Sequence, residues 1–374
     1  MLRKNPFQLK VLPVDAPFCN RVKELKELAG YGYSGTSAVV YSPRREGKTS
    51  LVNRVQNRLS EEGCITVKTD FFSVFSIDDI ASRLAKAVFT ETKRHESWYL
   101  KAINTIKSFR PVFQPDPSGG VSLSITPASG KTGFDLLEDV MNSLQQLAET
   151  LEHPVNIFID EFQEIADLKE SAKIEATLRT YMQETKASFF FVGSRRRILF
   201  DMFNEKSRPF YRMAVNYPVY KIEQDELAKW IEEQFQNNGV ICGSLSKDLV
   251  KLAHSHTYYV QKLGMLAFSI TDTTLTAEIL KQAYIDMLES EKTVFEESYL
   301  KPLAPSQRNL LIALAKENTA KPLAKDYVKR NNLPATSTIQ SAIVALLNHD
   351  LIQMENGIYT LVDKVFQDYL ISTY

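Results

Sequence analysis

The fold of this chain of 374 residues is decided by the stretch Ser42-Pro43-Arg44-Arg45-Glu46-Gly47-Lys48-Thr49. This stretch nearly fits the pattern G-x-x-x-x-G-K-[ST], whose backbone N–H groups surround phosphate. An apolar run at residues 37–41 precedes it and predicts a buried strand, and residues 51–59 follow with helical spacing. A strand, a loop and a helix in this order aim the loop N–H groups and the helix N-terminus at one point, which attracts phosphate.

The motif also assigns chemistry to its side chains. Lys48 is expected to reach the β- and γ-phosphates of ATP, and the Thr49 hydroxyl to ligate Mg²⁺. We therefore predict that residues 42–49 and the adjoining Ser50 bind the nucleotide. Ser42 departs from the pattern, because glycine is used at that position for backbone freedom. The alternative is a polar turn, which the flanking strand and helix disfavour.

A second Gly-Lys-Thr occurs in Ser129-Gly130-Lys131-Thr132, after a candidate strand at residues 121–125. No glycine stands at its upstream end, and Gly133 directly after it is expected to weaken a first helical turn. The surrounding residues 110–133 are rich in proline, glycine and serine, which is typical of a loop. We predict a loop-rich insert at about residues 108–134 and interpret the second motif as coincidence.

The composition excludes several classes of protein. The 45 acidic and 45 basic residues balance, so no overall field draws the chain to nucleic acid or membrane. No apolar stretch is long enough to span a bilayer, and residues 1–6 do not lead into the apolar segment of a signal peptide. Cys19, Cys64 and Cys242 are scattered, which argues against a zinc site and for a reducing compartment. We predict a cytoplasmic protein of two or three domains.

A second apolar run, residues 155–159, ends in Asp160 and Glu161. A buried parallel strand delivers its last residues to the carboxyl edge of the sheet, where ligands bind. Asp160 is expected to hold Mg²⁺, and Glu161 to orient or polarise the water that attacks the γ-phosphate. The alternative is a strand that stops at an acidic turn, and the Lys48 motif upstream weakens it.

Two more apolar runs complete the predicted sheet. Residues 64–70 place one further strand between the phosphate loop and the acidic strand, as in the additional-strand branch of P-loop ATPases. Residues 187–194 form another strand, and Ser194 at its end is a candidate sensor of the γ-phosphate. Ser194 also suits the N-cap of the helix that begins near Arg195, and the two roles are compatible.

The loop before the last predicted strand, residues 215–222, carries Arg208 and Arg212. An arginine at this place can point at the γ-phosphate of a neighbouring subunit, and such a finger is worth about 10³–10⁵ in rate. We favour Arg212 over Arg208 and predict a homo-oligomer if the finger operates. The alternative role is a surface salt bridge.

An ordered set of motifs resembles a known family, the archaeal-type ATPases on the border of the AAA+ and STAND classes. The motifs are Asn5-Pro6-Phe7, residues 18–25, 43–51, 158–163 and 192–194, and Pro209-Phe210-Tyr211-Arg212. The resemblance covers about residues 5 to 270. It implies an α/β P-loop NTPase core of the AAA+-like, additional-strand type, with a helical lid and a C-terminal winged helix-turn-helix.

The resemblance also implies two further nucleotide contacts. Arg21 corresponds to a position near the adenine end of the nucleotide. His256 lies in Ser255-His256-Thr257-Tyr258-Tyr259, where the family has Gly-His-Pro-Tyr-Tyr, and would face the phosphates. The alternative for His256 is a structural role. No sensor-2 arginine is visible, so turnover is expected to be slow and switch-like.

The C-terminal third is predicted to be helical, with a lid at 223–298 after an ATPase core at 1–222, and a winged helix domain at 299–374. In that last domain, amphipathic helices at 306–316, 323–331 and 336–348 precede a hairpin with an Asn-Gly turn at 351–361. Three helices and a wing form a winged helix-turn-helix.

The sequence leaves two kinds of partner for the winged helix, DNA and another protein. The helix 336–348 contains no Lys or Arg, and Thr336, Ser337 and Gln340 are its candidates for base contacts. Phosphate contacts would fall to Lys325, Lys329 and Arg330.

Our first hypothesis is an ATP-binding, Mg²⁺-dependent AAA+-like ATPase that signals to a partner through the winged helix. The second is a nucleotide-gated DNA-binding regulator with little turnover, and a third, weaker one is a protein-interaction scaffold with a decayed site.

Overall fold

The computed structural model describes residues 3–93, 96–115, 121–150 and 153–374. The chain divides into two compact units. The core unit consists of Val11–Pro17 and Arg21–Tyr220. The C-terminal unit consists of Lys221–Tyr374, joined by the N-terminal segments Met1–Lys10 and Phe18–Asn20.

The described strands and helices follow one another along the chain. The strands are β1 Ala38–Tyr41, β2 Ile65–Asp70, β3 Phe109–Pro115, β4 Val121–Pro127, β5 Val155–Asp160, β6 Ser188–Gly193, β7 Val215–Pro218, β8 Ile352–Glu355 and β9 Ile358–Leu361. The helices of the core unit are α1 Val22–Tyr33, α2 Lys48–Glu61, α3 Ile77–Thr92, α4 Glu96–Thr105, α5 Gly133–Thr150, α6 Ser171–Glu184 and α7 Arg196–Asn204. Those of the C-terminal unit are α8 Gln224–Asn237, α9 Leu245–Leu252, α10 Thr257–Ile270, α11 Ala277–Val294, α12 Pro305–Lys316, α13 Lys325–Arg330, α14 Thr336–Asn348 and α15 Lys364–Thr373.

The core unit is built on a five-stranded parallel sheet with the order β2-β5-β6-β1-β7. Strands β5 and β6 are buried along their whole length, which is why their sequences are almost continuous apolar runs. Strand β6 lies between β1 and β5, so the phosphate-loop strand and the acidic strand are not direct neighbours. The predicted fold class is confirmed, but β2, the strand predicted between the two motifs along the chain, lies at the edge of the sheet beside β5.

The last core strand is shorter than predicted. Strand β7 ends at Pro218, whereas the sequence indicated a strand over residues 215–222. It pairs along one side with the four residues of β1, from Ala38 opposite Val215 to Tyr41 opposite Pro218. The partner β1 also ends there, at Tyr41, and the last hydrogen bond between the two runs from the Val219 N–H to the Tyr41 carbonyl at 2.9 Å.

Four phenylalanines pack beside the ends of β5 and β6. The rings of Phe162 and Phe191 lie 4.4 Å apart, and those of Phe203 and Phe210 lie 4.8 Å apart. All four side chains are buried. The short 3₁₀ segment Phe162–Asp167, which follows Glu161, is therefore anchored in a close-packed apolar cluster.

The prediction of a loop-rich insert at residues 108–134 is wrong for residues 109–115 and 121–127, which form strands, and its residues 116–120 lie outside the described part of the chain. Strands β3 and β4 form an antiparallel hairpin there, with Phe109 opposite Pro127 and Val112 opposite Ser124. Prolines are tolerated because a two-stranded hairpin has free edges on both sides. The candidate strand at residues 121–125 is confirmed as part of β4.

The helix after the second Gly-Lys-Thr also corrects an expectation, because α5 begins at Gly133 itself. Its first turn is closed by Thr132 and Asp135. The Thr132 N–H donates to Asp135 Oδ2 at 2.8 Å, and the Asp135 N–H donates to Thr132 Oγ1 at 3.3 Å. This reciprocal cap offsets the poor helix propensity of glycine.

In the C-terminal unit, helices α8 to α15 and the hairpin β8–β9 share one apolar core. The predicted helices of this third of the chain and the hairpin are confirmed, and the predicted third helix matches α14 at both ends. Helix α15 was not predicted. Its N-cap is Asp363, whose Oδ1 accepts from the Phe366 N–H at 3.0 Å.

The N-terminal segment of the chain is held on the C-terminal unit by Phe7. The Phe7 ring lies 5.3 Å from Phe235 and 6.4 Å from Phe268. The Asn5 side chain adds a hydrogen bond to the Met265 carbonyl at 2.9 Å. This packing explains an apolar residue so close to the start of the sequence.

No helix among the described residues is both long and apolar enough to cross a membrane.

Candidate nucleotide-binding site

Residues 42–47 connect β1 to α2, in the predicted order of strand, loop and helix. Gly47 precedes the helix with φ of 84°, a left-handed conformation that favours glycine. Ser42 has no positive φ, and its hydroxyl donates to the Pro43 carbonyl at 3.2 Å. The backbone at position 42 therefore does not require glycine, which explains why this departure from the pattern is compatible with the loop.

Lys48 is the first residue of α2, and its side chain is almost fully buried at 6 % exposure. Its ammonium donates to the carbonyls of Ser42 at 2.9 Å and Pro43 at 2.8 Å. Burial lowers the pKa of Lys48 to about 8, while the carboxylates of Glu161 and Asp160 act in the opposite direction. An ammonium has three N–H donors, so two loop carbonyls do not exhaust it.

Thr49 and Asp160 meet although they are 111 positions apart. The Thr49 hydroxyl donates to Asp160 Oδ2 at 3.0 Å. Asp160 Oδ1 accepts from the Glu161 N–H at 3.0 Å. Burial raises the pKa of Asp160, and the bond from Thr49 opposes that shift. A hydroxyl and a carboxylate side by side are oxygen ligands of the kind that Mg²⁺ prefers.

Glu161 sits in an uncommon backbone conformation at the end of β5, with φ of 47°. Its Oε2 accepts from the Ser194 hydroxyl at 3.2 Å, and also from the side-chain amide of Gln163. Ser194 follows β6 and is buried. The ends of β5 and β6 thus bring three predicted residues together, Asp160, Glu161 and Ser194. Gln163 belongs to the motif at residues 158–163, but no role was predicted for it, because no local pattern of residues distinguishes it.

The other predicted residues of the loop and of the first turn of α2 differ in their exposure to solvent. Arg44 and Arg45 are exposed, and Glu46 is buried. Ser50 makes a hydrogen bond within the protein, because its hydroxyl accepts from the Leu12 N–H at 3.0 Å. The nucleotide role of these residues stays a prediction.

Arg21 and His256, the two residues implied by the resemblance, lie in different units. Arg21 is buried in the core unit at the N-cap of α1. Its Nη1 donates to Glu24 at 2.7 Å, while its buried Nη2 has no partner among the described residues. His256 is the N-cap residue of α10 in the C-terminal unit, with its ring 4.8 Å from that of Tyr259. Their contacts with nucleotide also stay predictions.

The two candidate finger arginines differ in their surroundings. Arg208 is bonded to the fully buried carboxylate of Glu175. Burial raises the pKa of Glu175 to about 7, and the Arg208 guanidinium opposes that shift. Arg212 is exposed, with its guanidinium 5.2 Å from the centre of the Tyr211 ring, and forms no ion pair with any described residue. Of the two, Arg212 is the one whose charge is available to a partner.

The candidate DNA-contacting residues of the winged helix also differ. Arg330 is committed to Glu317, with bonds of 2.8 and 3.1 Å to its two oxygens. Lys325 and Lys329 are exposed and form no ion pair within the described part of the chain. Thr336, Ser337 and Gln340 lie exposed on α14.

The second Gly-Lys-Thr lacks this environment. Strand β4 before it belongs to the separate hairpin and not to the parallel sheet. Lys131 is exposed, and the Thr132 hydroxyl donates to Asp135 at 2.7 Å. The described residues also contain no group of three or more histidine, cysteine or acidic side chains that could hold a metal ion. Any magnesium at Thr49 and Asp160 would therefore rely on phosphate and water for its other ligands.

Comparison with known protein families gives two matches. Residues 33–203 match the AAA domain family, and residues 294–372 match the probable winged helix domain family. No curated protein matches the sequence significantly.

Several solved structures share the fold over almost the whole chain. The Walker-type ATPase of Pyrococcus abyssi is 17% identical, with a TM-score of 0.72 over 98% of this chain and 99% of that one. The Orc1 protein of Aeropyrum pernix, solved in complex with DNA, is 15% identical, with a TM-score of 0.53 over 97% and 95%. The Orc2 protein of the same organism, solved as ADPNP–ADP complexes, is 12% identical, with a TM-score of 0.57 over 97% of each chain. At these identities the similarity shows the fold alone.

Proposed function

Because the chain carries an AAA domain and a C-terminal winged helix domain on the fold of a P-loop ATPase, we propose that it binds and hydrolyses Mg²⁺-ATP. In this proposal, hydrolysis switches the conformation of the protein, and the winged helix transmits that switch to a partner. The observation that carries the proposal is the bond of 3.0 Å between Thr49 and Asp160. It joins the helix after the phosphate loop to the acidic end of β5, as a shared magnesium ligand pair requires.

The residues of the site fit the nucleotide and the metal. The buried Lys48 ammonium supplies a positive charge with an N–H left over for phosphate, at the start of a helix whose dipole also favours an anion. Thr49 and Asp160 would hold Mg²⁺. When bound, the ion neutralises charge that develops on the phosphate oxygens. Arg21 and His256 are assigned to the adenine end and the phosphates by the resemblance alone.

Glu161 is the proposed general base. One of its oxygens accepts from Ser194, which leaves the other to take a proton from the attacking water. Ser194 links this carboxylate to the end of β6, so we assign it the sensing of the γ-phosphate. The left-handed backbone at Glu161 directs the side chain away from the regular path of the strand, and such strain is common at reactive positions.

Arg212 is the proposed finger for a neighbouring subunit. Its exposure and the absence of an ion pair with described residues support it over Arg208. The proposal requires a homo-oligomer. Light scattering with and without ATP and Mg²⁺ measures this directly, and a monomer under both conditions would remove the role of Arg212.

Calorimetric titration with ATP and Mg²⁺ tests the proposed site. Lys48→Ala is expected to abolish the heat of binding, because the phosphates lose their buried cation. Lys131→Ala is the matched control, since it changes the lysine of the second Gly-Lys-Thr, and it should leave binding intact. Loss of binding in Lys131→Ala with retention in Lys48→Ala would show that the site is at the other motif.

A second candidate function is a nucleotide-gated DNA-binding regulator with little turnover. Lys325 and Lys329, which are exposed and form no ion pair with a described residue, and the exposed hydroxyl and amide groups of α14 support it. The similar Orc1 protein was solved with DNA, but that similarity concerns the fold alone.

A further inference from the structure

Gln163 is a buried polar residue next to the proposed general base. It lies in the 3₁₀ segment that follows Glu161, and its side chain is fully buried at 0 % exposure. Its amide nitrogen donates to Glu161 Oε2, the oxygen that also accepts from Ser194. Two donors on one oxygen leave Oε1 of Glu161 without a hydrogen bond to any described residue.

The orientation of the Gln163 amide follows from this bond. If the amide were turned by 180°, its carbonyl oxygen would face a carboxylate, which is repulsive. The nitrogen must therefore face Glu161, and the carbonyl oxygen must face the opposite way. On that side it has no hydrogen-bond donor among the described residues.

Gly193 makes room for this arrangement. A Cβ atom at position 193 would lie 1.8 Å from Gln163 Oε1 and 3.0 Å from its Cδ, far inside contact distance. Any side chain at position 193 would thus displace the glutamine from Glu161. The same Cβ would lie 2.9 Å from Leu199 Cδ1, so the close approach of the Gln163 amide to the end of β6 depends on glycine at this place.

The arrangement is costly for stability. A buried carbonyl without a donor gives up its hydrogen bonds to water and gains none in return. An apolar side chain of similar volume would avoid this cost, because Phe162, Ile165 and Phe191 are buried in the same apolar cluster. The polar contact that glutamine provides there is the bond to Glu161.

We propose that Gln163, whose amide packs against Gly193, is a positioning residue. It holds the carboxylate of Glu161 in the orientation in which it can activate the water that attacks the γ-phosphate. This inference rests on the proposed ATPase function. Together with Ser194 it holds Oε2 in place and keeps Oε1 directed to the water. A glutamate side chain has three rotatable bonds and is otherwise held loosely, so the loss of one donor lowers the fraction of the productive geometry.

Gln163→Met tests the inference, because methionine keeps the volume and removes both the donor and the unpaired carbonyl. We expect kcat to fall about tenfold or more, since a general base contributes about 10²–10⁴. The KM and the calorimetric Kd for ATP should stay within about twofold, and Tm should be unchanged or higher. Glu161→Gln sets the rate that remains without the base. A merely structural glutamine would instead lower Tm and leave kcat unchanged.

A double-mutant cycle with Gly193 supplies the second measurement. Gly193→Ala should lower kcat in the natural chain by displacing Gln163. In a Gln163→Ala background the clash with the glutamine amide is gone and Leu199 Cδ1, at 2.9 Å, is the close neighbour that remains, so the further loss of kcat from Gly193→Ala should be much smaller than in the natural chain. Additive losses in kcat would contradict the inference.

The outcomes separate this inference from the proposed function. Turnover in the natural chain together with an unchanged kcat in Gln163→Met would overturn the inference and leave the ATPase intact. Failure of the natural chain to hydrolyse ATP under any condition would overturn both.

Discussion

At the scale of single residues, two serines stand where the phosphate-loop pattern or the similar family has glycine. The structure gives these two serines different backbone conformations. Ser42 opens the phosphate loop without a positive φ. Ser255, next to His254, has φ of 55° in the loop before α10. A left-handed conformation costs a residue with a side chain about 1–2 kcal/mol, so glycine is favoured at position 255 and not required at 42.

The corresponding prediction is a difference in stability between two variants. Ser255→Gly should raise the free energy of unfolding by about 1 kcal/mol, because glycine adopts the left-handed conformation without strain. Ser42→Gly is the matched control and should lower it slightly, since it only adds freedom to the unfolded chain. Chemical denaturation followed by circular dichroism measures both. A gain in Ser42→Gly that equals the gain in Ser255→Gly would contradict the argument.

At the scale of elements, the helices of the predicted lid and the winged helix domain are joined within the C-terminal unit by partly buried polar contacts. The Tyr259 hydroxyl donates to Asp363 at 2.6 Å, and the Tyr284 hydroxyl donates to Asp368 at 2.6 Å. His254 adds a contact of 2.7 Å to Asp368. These bonds tie α10, α11 and the loop before α10 to the last helix, α15. We therefore expect α15 to follow any movement of the lid.

Tyr259→Phe tests this connection. Tyr259 is 2 % exposed, and removing its hydroxyl takes one donor from a carboxylate, which typically costs about 1.5–3 kcal/mol. We expect a lower Tm by calorimetry and unchanged ATP binding. Tyr374→Phe is the control, because Tyr374 is 55 % exposed and its hydroxyl should contribute nothing measurable. Equal Tm values for the two variants would show that the bond to Asp363 does not stabilise the unit.

At the scale of the whole molecule, the N-terminal segment is divided between the two units. Residues up to Lys10 belong to the C-terminal unit, Val11–Pro17 to the core unit, and Phe18–Asn20 to the C-terminal unit again. Arg54 on α2 holds the middle part by hydrogen bonds to the carbonyls of Pro13 at 3.0 Å and Ala16 at 2.6 Å. The helix that carries Lys48 is thus bonded to the part of the N-terminal segment that belongs to its own unit.

Because the net charge is zero, any affinity for DNA must come from a local group of basic residues. The second candidate function is therefore tested at Lys329 in the winged helix domain. At low salt, Lys329→Ala should weaken duplex binding and reduce the slope of log K against log salt by about 0.9, the value for one phosphate contact. Lys247→Ala is the control, because Lys247 is already bonded to Asp225 at 3.0 Å on the lid. Fluorescence anisotropy at several salt concentrations measures both. No binding of any duplex at low salt would end the DNA hypothesis and leave a protein as the partner of the winged helix.

The sequence by itself determined the kinds of elements and the identity of the phosphate loop. Apolar runs ending in polar residues predicted β1, β2, β5 and β6, and helical spacing predicted the lid and the winged helix. These signals are local, because they depend on the burial of alternate or successive side chains within one element. Strand β3 and its pairing with β4 escaped prediction, since the prolines and glycines around them resemble those of a loop.

Only the tertiary structure decided which distant residues meet. The strand order places Thr49 against Asp160, and it brings the end of β6 with Gly193 onto Gln163. It also gave Arg208 a buried partner in Glu175 and left Arg212 without an ion pair among the described residues. The physical reason is that a hydrogen bond or an ion pair depends on which strands are neighbours and which atoms are already satisfied. Neither property is encoded in the spacing of residues along the chain.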